Sequence, residues 1–109
     1  GTQSLTLSNV LENYGTIEVA SPLAGGVLKI GGSGRIVNAG LIKVYSQSGV
    51  PGGAVVLRVP MEVLPSGRLW VQANAGWALD QGELRLAGVL ELDAAKVEAL
   101  KAAKIVQGR

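Results

Sequence analysis

Apolar and polar residues alternate over short stretches of this 109-residue chain, and a glycine precedes nearly every stretch. The shared pattern is glycine, any residue, an aliphatic residue, any residue and a second aliphatic residue. Its copies begin at Gly15, Gly26, Gly40, Gly67, Gly82 and Gly88. A two-residue alternation is typical of a strand with one buried face, so the pattern predicts a series of strands of about five residues.

The alternation also predicts which side chains lie in the core. The aliphatic positions of the copies should be buried: Ile17, Val19, Leu28, Ile30, Ile42, Val44, Leu69, Val71, Leu84, Leu86, Leu90 and Leu92. The charged residues between them should be exposed: Glu18, Lys29, Lys43, Arg85 and Glu91.

Turn signals separate the strands. The triplets NYG, NAG, PSG and DQG end at Gly15, Gly40, Gly67 and Gly82, and we interpret them as turns because Asn, Asp and Gly tolerate positive φ. A recurrence of roughly 20 to 30 residues made of several short strands is typical of a β-solenoid. The alternative is a β-sandwich or jelly roll. The near-constant strand length and an aliphatic core without Phe favour the solenoid.

The C-terminal segment has a different pattern. The sequence DAAKVEALKAAKIVQGR predicts a helix from about Ala94 to Val106, with Asp93 as the N-cap and Gly108 as the stop. We therefore expect an all-β body over residues 1–93 and a C-terminal α-helix over residues 94–109 that packs on the body or caps it.

Composition argues against an enzyme. The chain has no His and no Cys, which removes the commonest general base and the usual ligands of zinc. The GGSGR stretch matches no phosphate-binding motif. We therefore predict no catalytic, cofactor-binding or metal-binding residue.

Charge and hydropathy also exclude two classes of partner. The net charge is only +2 and the basic residues are spread along the chain, so nucleic acid is not an expected partner. No apolar run approaches the roughly 20 residues that a membrane-spanning helix needs, so we expect no membrane insertion.

Four residues are candidates for an interaction surface. Trp70 takes an outward position at which every other copy carries a charge, and Trp77 follows in the stretch NAGWALDQG, which we interpret as a loop. Leu41 and Val89 are apolar at outward positions that are polar in several other copies. An exposed apolar patch marks a contact. We expect the C-terminal helix to cover Trp70, and the alternative is a protein partner or a sugar.

The phrases NYGTIEV, GGVLKIGGSGRIVNAGLIKV and PSGRLWV resemble the repeats of filamentous-haemagglutinin-type and autotransporter β-helices, over about residues 5–93. The resemblance implies a right-handed solenoid on a bacterial surface with no catalytic residues. We therefore expect a non-enzymatic structural or adhesive module, extracellular or at the cell surface. The alternatives are a component of a virion or another assembly, and a carbohydrate-binding domain that uses Trp70 and Trp77.

The N-terminal strand gives a further expectation. Residues 5–8 contain no Pro, no Lys and no charge, and strand edges without such residues pair with other chains. We therefore predict self-association, or continuation of a longer chain, through this edge.

The composition makes a prediction about metals. Because no cluster of metal ligands is visible in the sequence, EDTA should leave the melting temperature unchanged in a thermal unfolding experiment. A fall of several degrees would reveal a site, and Asp80, Glu83 and backbone carbonyls would be its first candidates.

Overall fold

The computed structural model describes residues 1–47, 49–80, 82–93, 96–100 and 104–107. Within these ranges the chain is a succession of short strands, three to each of the first four coils and two in the last. They are β1 (Thr2–Leu7), β2 (Val10–Asn13), β3 (Thr16–Ser21), β4 (Val27–Gly32), β5 (Arg35–Asn38), β6 (Leu41–Ser46), β7 (Ala54–Leu57), β8 (Met61–Val63), β9 (Arg68–Val71), β10 (Gly76–Asp80), β11 (Glu83–Leu86), β12 (Val89–Leu92), β13 (Lys96–Leu100) and β14 (Lys104–Gln107).

Strands from successive coils lie side by side in three sheets. Sheet A has the order β1-β4-β7-β10-β13, sheet B the order β2-β5-β8-β11-β14 and sheet C the order β3-β6-β9-β12. Every neighbouring pair is parallel. The fold is therefore a β-solenoid of about four turns. The alternative of a sandwich or jelly roll is wrong, because those folds pair their strands antiparallel.

The register gives the length of each coil. In sheet A, Thr2 pairs with Val27, Val27 with Ala54, Ala54 with Gly76 and Gly76 with Lys96. Successive coils therefore take 25, 27, 22 and 20 residues. The strands keep their register while the connections between them change in length, which explains why the glycine pattern recurs at uneven spacings in the sequence.

Inward positions form columns that run through the coils. In sheet C, Ile17, Ile42, Leu69 and Leu90 form one such column. The predicted core is confirmed as buried at Ile30, Ile42, Val44, Leu69, Val71 and Leu84. Five further predicted positions are half-buried and pack against this core: Ile17, Val19, Leu28, Leu86 and Leu90.

The prediction was wrong at Leu92, which is 46% exposed. Leu92 continues the column of Val71, but it lies on β12, the last described strand of sheet C, so no described strand covers it. The outward charges Glu18, Lys29 and Arg85 are exposed as predicted. Lys43 and Glu91 are only half-exposed, and each forms an ion pair with a charge on a neighbouring strand.

The corner between sheets B and C explains the triplets NYG and NAG. None of their Asn and Gly residues has a positive φ, so that part of the interpretation was wrong for these two triplets; it was right for DQG, where Gly82 has a φ of 80°. Glycine is needed for close approach instead: a Cβ on Gly40 would lie 2.2 Å from the carbonyl oxygen of Gly15. Asn13 and Asn38 are buried, and the Nδ2 of Asn13 donates to Oδ1 of Asn38 at 2.9 Å. The Nδ2 of Asn38 donates in turn to the carbonyl of Arg68 in the next coil.

The C-terminal helix is not present in the described part of residues 94–109. Strands β13 and β14 occupy it and extend sheets A and B by pairing with β10 and β11. Val97 pairs with Trp77 and Ile105 with Leu84, so both take register positions that are inward in the preceding coil. Pairing with a free sheet edge overrides local helix propensity. The rest of the predicted helix, residues 94, 95, 101–103 and 108–109, lies outside the described residues.

The described residues include no helix with the length and apolar character that crossing a membrane requires.

The inward columns predict the result of a pair of substitutions. Leu69→Ala should lower the free energy of unfolding by about 2–5 kcal/mol, because it leaves a cavity at a fully buried position of an inward column. Lys43→Ala, one coil away on the outer face, should lower it by at most about 0.5 kcal/mol. Urea titrations of the two variants measure both values. Equal losses would contradict the assignment of inward and outward faces.

Candidate functional site

Three of the four candidate residues lie on one surface, the outer face of sheet C. Leu41 on β6 and Val89 on β12 both pair with Arg68 on β9, so these three form one row across the sheet. Trp70 lies two residues after Arg68 and therefore on the same face, in the next row, between Lys43 and Glu91. The alternation fixes this placement, because Leu69 and Val71 are fully buried on the other side of β9.

Val89 is the most exposed of these residues. It is 51% exposed on β12, at the edge of sheet C, whereas Leu41 and Trp70 are half-buried. The face thus offers an aliphatic side chain at its edge and an aromatic ring near its centre.

The charges on this face are paired within it. The Nζ of Lys43 lies 2.8 Å from Oε2 of Glu18, and the guanidinium of Arg68 forms an ion pair with Glu91. Each pair joins neighbouring strands and is partly exposed, so its contribution to stability is small. The pairing leaves the outer face of sheet C with little net charge.

Trp70 is held by two neighbours that sequence reasoning did not identify. The guanidinium of Arg68 stacks over the indole ring, with its central carbon 4.5 Å from the ring centre. The indole Nε1 donates to Oδ2 of Asp93 at 2.5 Å. The expectation that a C-terminal helix covers Trp70 is therefore wrong in the described residues, since Arg68 and Asp93 do so.

A sequence signal existed for one of these two contacts. Arg68 precedes Trp70 by two residues in a predicted strand, which places both side chains on one face. Asp93 had been interpreted as a helix N-cap, and nothing in the local sequence indicates that it turns back to the indole.

Trp77 does not belong to this face. It lies on β10 in sheet A rather than in a loop, and it is only 3% exposed. In the register it lies beside Val55, an inward residue of the preceding coil. The two tryptophans therefore do not form a shared surface for a flat ligand.

Among the titratable groups outside sheet C, Asp80 and Tyr14 are notable for their contacts. Asp80 forms an ion pair with Arg58, Nε to Oδ2 at 3.3 Å, and its other oxygen is buried without a hydrogen bond. Tyr14 is exposed; its hydroxyl donates to Oε2 of Glu12, and this hydrogen bond raises the pKa of the tyrosine. In the part of the chain that is described, His, Cys, Asp and Glu form no group of three or more that could hold a metal.

A second surface lies at the N-terminal end of the solenoid. Strands β1, β2 and β3 are the outermost strands of their sheets, and their inward side chains are covered by no described strand. Leu5, Leu7, Leu11, Ile17 and Val19 line a small apolar cavity there, about 60 Å³ in volume, whose floor is the core of the next coils. Leu5 is 48% exposed. No described strand pairs with the outer edge of β1, whose residues are uncharged as the sequence showed.

Comparison of the chain with protein-family models, with curated proteins and with solved structures gives no match. The likeness to β-helices therefore rests on the strand arrangement alone, which fits the broad architecture and not one family of it.

The contact between Trp70 and Asp93 predicts a local spectroscopic change. Asp93→Asn should shift the indole N–H resonance of Trp70 in a ¹⁵N–¹H correlation spectrum, because the acceptor loses its charge, and leave that of the buried Trp77 in place. The free energy of unfolding should fall by about 1 kcal/mol, as for a partly exposed hydrogen bond to a charged group. Glu62→Gln, on sheet B, is the control. Equal shifts of both indole resonances would argue against the contact.

Proposed function

We propose that this chain is a non-enzymatic structural and adhesive module of a bacterial surface or fibre protein, and that the outer face of sheet C is its contact surface. The observation that carries the proposal is the row of Leu41, Arg68 and Val89 beside Trp70 on one face. Interfaces are enriched in aromatic residues and Arg at their centres, and this face combines both with exposed aliphatic surface.

The backbone supports the structural part of the proposal. Four coils joined by parallel ladders in three sheets form a continuous body, and stacked repeats of this kind provide extended surfaces for recognition. Arg68 and Asp93 hold the indole of Trp70 in one position. A side chain that is fixed before binding loses less entropy in the complex.

The surface location and the right-handed winding come from the resemblance of the glycine-punctuated phrases to adhesin β-helices. Both stay predictions. The expectation of no enzymatic activity rests on the absence of His and Cys from the sequence and on charges that pair with one another on sheet C.

The experiment that tests the contact surface is a binding screen against defined probes. The immobilised chain is presented with fibronectin, laminin and collagen, and with a glycan array, and binding is measured by surface plasmon resonance or fluorescence. We expect a protein probe to bind, and Val89→Lys to weaken that binding about tenfold or more, because the substitution puts a charge into an apolar contact.

The control is Val50→Lys, which changes an equally exposed valine in the connection between β6 and β7. It should leave binding unchanged. Equal losses for the two variants would argue against sheet C as the contact surface, and the absence of binding to every protein probe would argue against an adhesive role.

Two other functions are kept as alternatives. A component of a virion or another assembly is favoured by the open apolar end at β1, β2 and β3. A carbohydrate-binding role has weaker support, because Trp77 is buried and Arg68 already stacks on the ring of Trp70. Glycan binding that is lost in Trp70→Ala would favour it.

A further inference from the structure

The outer face of sheet C carries a third row of side chains, beyond the two rows described above. The backbone N–H of Gln72 donates to the carbonyl of Val44, and that of Asp93 donates to the carbonyl of Val71. Both residues therefore continue the ladders of sheet C by one position. Tyr45 follows Val44 directly, so Tyr45, Gln72 and Asp93 lie side by side on three successive coils and face outward.

The polar groups of this row are largely unused. All three side chains are half-buried. Within the described residues, the hydroxyl of Tyr45 and the side-chain amide of Gln72 form no hydrogen bond. Asp93 uses one carboxylate oxygen, Oδ2, to accept from the indole of Trp70. The row thus presents a hydroxyl, an amide and a carboxylate oxygen that a ligand can reach.

Asp93 is also the charge on this face that lacks a counter-ion. Glu18 pairs with Lys43, and Arg68 pairs with Glu91, so these four charges cancel. Asp93 forms no ion pair with any residue that the structure describes. The face therefore keeps one uncompensated negative charge. A cation complements it, an anion is repelled, and a neutral sugar would leave it uncompensated.

Two aromatic rings border the same place. Tyr45 lies beside Gln72 on the neighbouring strand, at a spacing of about 4.8 Å, and Trp70 precedes Gln72 by two residues. A cation is attracted to an aromatic ring when it lies within about 6 Å of the ring centre. Arg68 and Gln72 lie two residues before and after Trp70, so the guanidinium that already stacks on the indole does not fill the space above Gln72.

We propose that Asp93, Gln72, Tyr45 and Trp70 form a subsite for a basic side chain of a protein partner, arginine in preference to lysine. A guanidinium is flat and weakly hydrated, and it donates several N–H groups in fixed directions. It can donate to the carboxylate of Asp93 and to the amide oxygen of Gln72 while its flat face lies against the ring of Tyr45. The inference rests on the contact surface proposed above and names the chemistry of its partner.

The test is an NMR titration of the ¹⁵N-labelled chain with the blocked tripeptide acetyl-Gly-Arg-Gly-amide, from low to high millimolar concentration. The indole N–H resonance of Trp70 should shift until it saturates, because its acceptor is Asp93, and that of the buried Trp77 should stay in place. Raising the salt from about 0.1 M to about 1 M should weaken the binding, since it shortens the screening length from about 10 Å to about 3 Å.

Related tripeptides separate charge from shape. The lysine tripeptide should bind more weakly than the arginine one. The citrulline tripeptide, which has nearly the same shape and no charge, should bind about tenfold or more weakly than the arginine tripeptide. Equal affinities for arginine and citrulline would overturn the proposal, and so would the absence of any shift at Trp70.

Asp93→Asn tests the carboxylate. The substitution keeps the size of the side chain and an acceptor for the indole, but it removes the charge, so the arginine tripeptide should bind about tenfold or more weakly. The matched control is Glu62→Gln, which removes one negative charge from the outer face of sheet B. It should leave the affinity unchanged, and thermal unfolding checks that both variants fold. Equal losses would indicate a general attraction to acidic protein and would contradict the subsite.

Tyr45 tests the aromatic contact. Tyr45→Phe keeps the ring and should change the affinity by at most about twofold, whereas Tyr45→Leu keeps an apolar side chain without a ring and should weaken binding about two- to fivefold. If leucine binds the tripeptide as well as phenylalanine does, the ring has no part in recognition.

The outcomes distinguish this inference from the proposed function. A protein probe whose binding falls in Val89→Lys, but not in Asp93→Asn, would overturn the subsite and leave the contact surface standing. An arginine tripeptide that binds through Asp93, while no protein probe binds the chain, would support the subsite and argue against the adhesive role.

Discussion

The backbones of successive coils must lie about 4.8 Å apart along the whole solenoid, and most features of the structure follow from this spacing. At a strand the distance is set by the parallel ladder, and side chains point inward or outward without obstruction. At a corner the chain changes direction, and a Cβ would point at the coil below. A Cβ on Gly67 would lie 2.1 Å from the carbonyl oxygen of Asn38, so the corner accepts glycine and little else.

Because of the same spacing, the core consists of columns in which equivalent residues of successive coils pack on one another. Val19, Val44 and Val71 lie one above the other, and each is covered by its equivalents in neighbouring coils. Burial therefore depends on position in the stack. Val44 and Val71 are fully buried, while Val19 in the first coil and Leu92 in the fourth are not. The ends of the columns, and not any unusual residue, create the apolar opening at β1 and the exposed leucine on β12.

On the outer face the spacing brings residues of neighbouring coils into lateral contact. Lys43 reaches Glu18, and Arg68 reaches Glu91 while its guanidinium stacks on the ring of Trp70 within the same strand. These contacts are individually weak, but they fix the side chains of sheet C against one another. A rigid outer face follows from the stacking, and we propose this rigidity as the physical basis of the adhesive role.

The sequence by itself determined the six strands that follow the glycine copies, β3, β4, β6, β9, β11 and β12, and the direction of most of their side chains, because period-two alternation is a local property of the chain. The glycine pattern did not indicate β2 and β8, and the stretch that forms β10 was interpreted as a loop. It also indicated the solenoid, the candidate positions Leu41, Trp70 and Val89, and the unprotected edge of β1. Tertiary structure decided the remainder. Residues 96–100 and 104–107 form strands because they pair with the edges of β10 and β11. Local helix propensity contains no information about such distant edges. The burial of Trp77 depends on its place beside Val55 in another coil, and the hydrogen bond from Trp70 to Asp93 joins residues 23 positions apart. Each of these outcomes is a contact between coils, and such contacts exist only once the chain has wound upon itself.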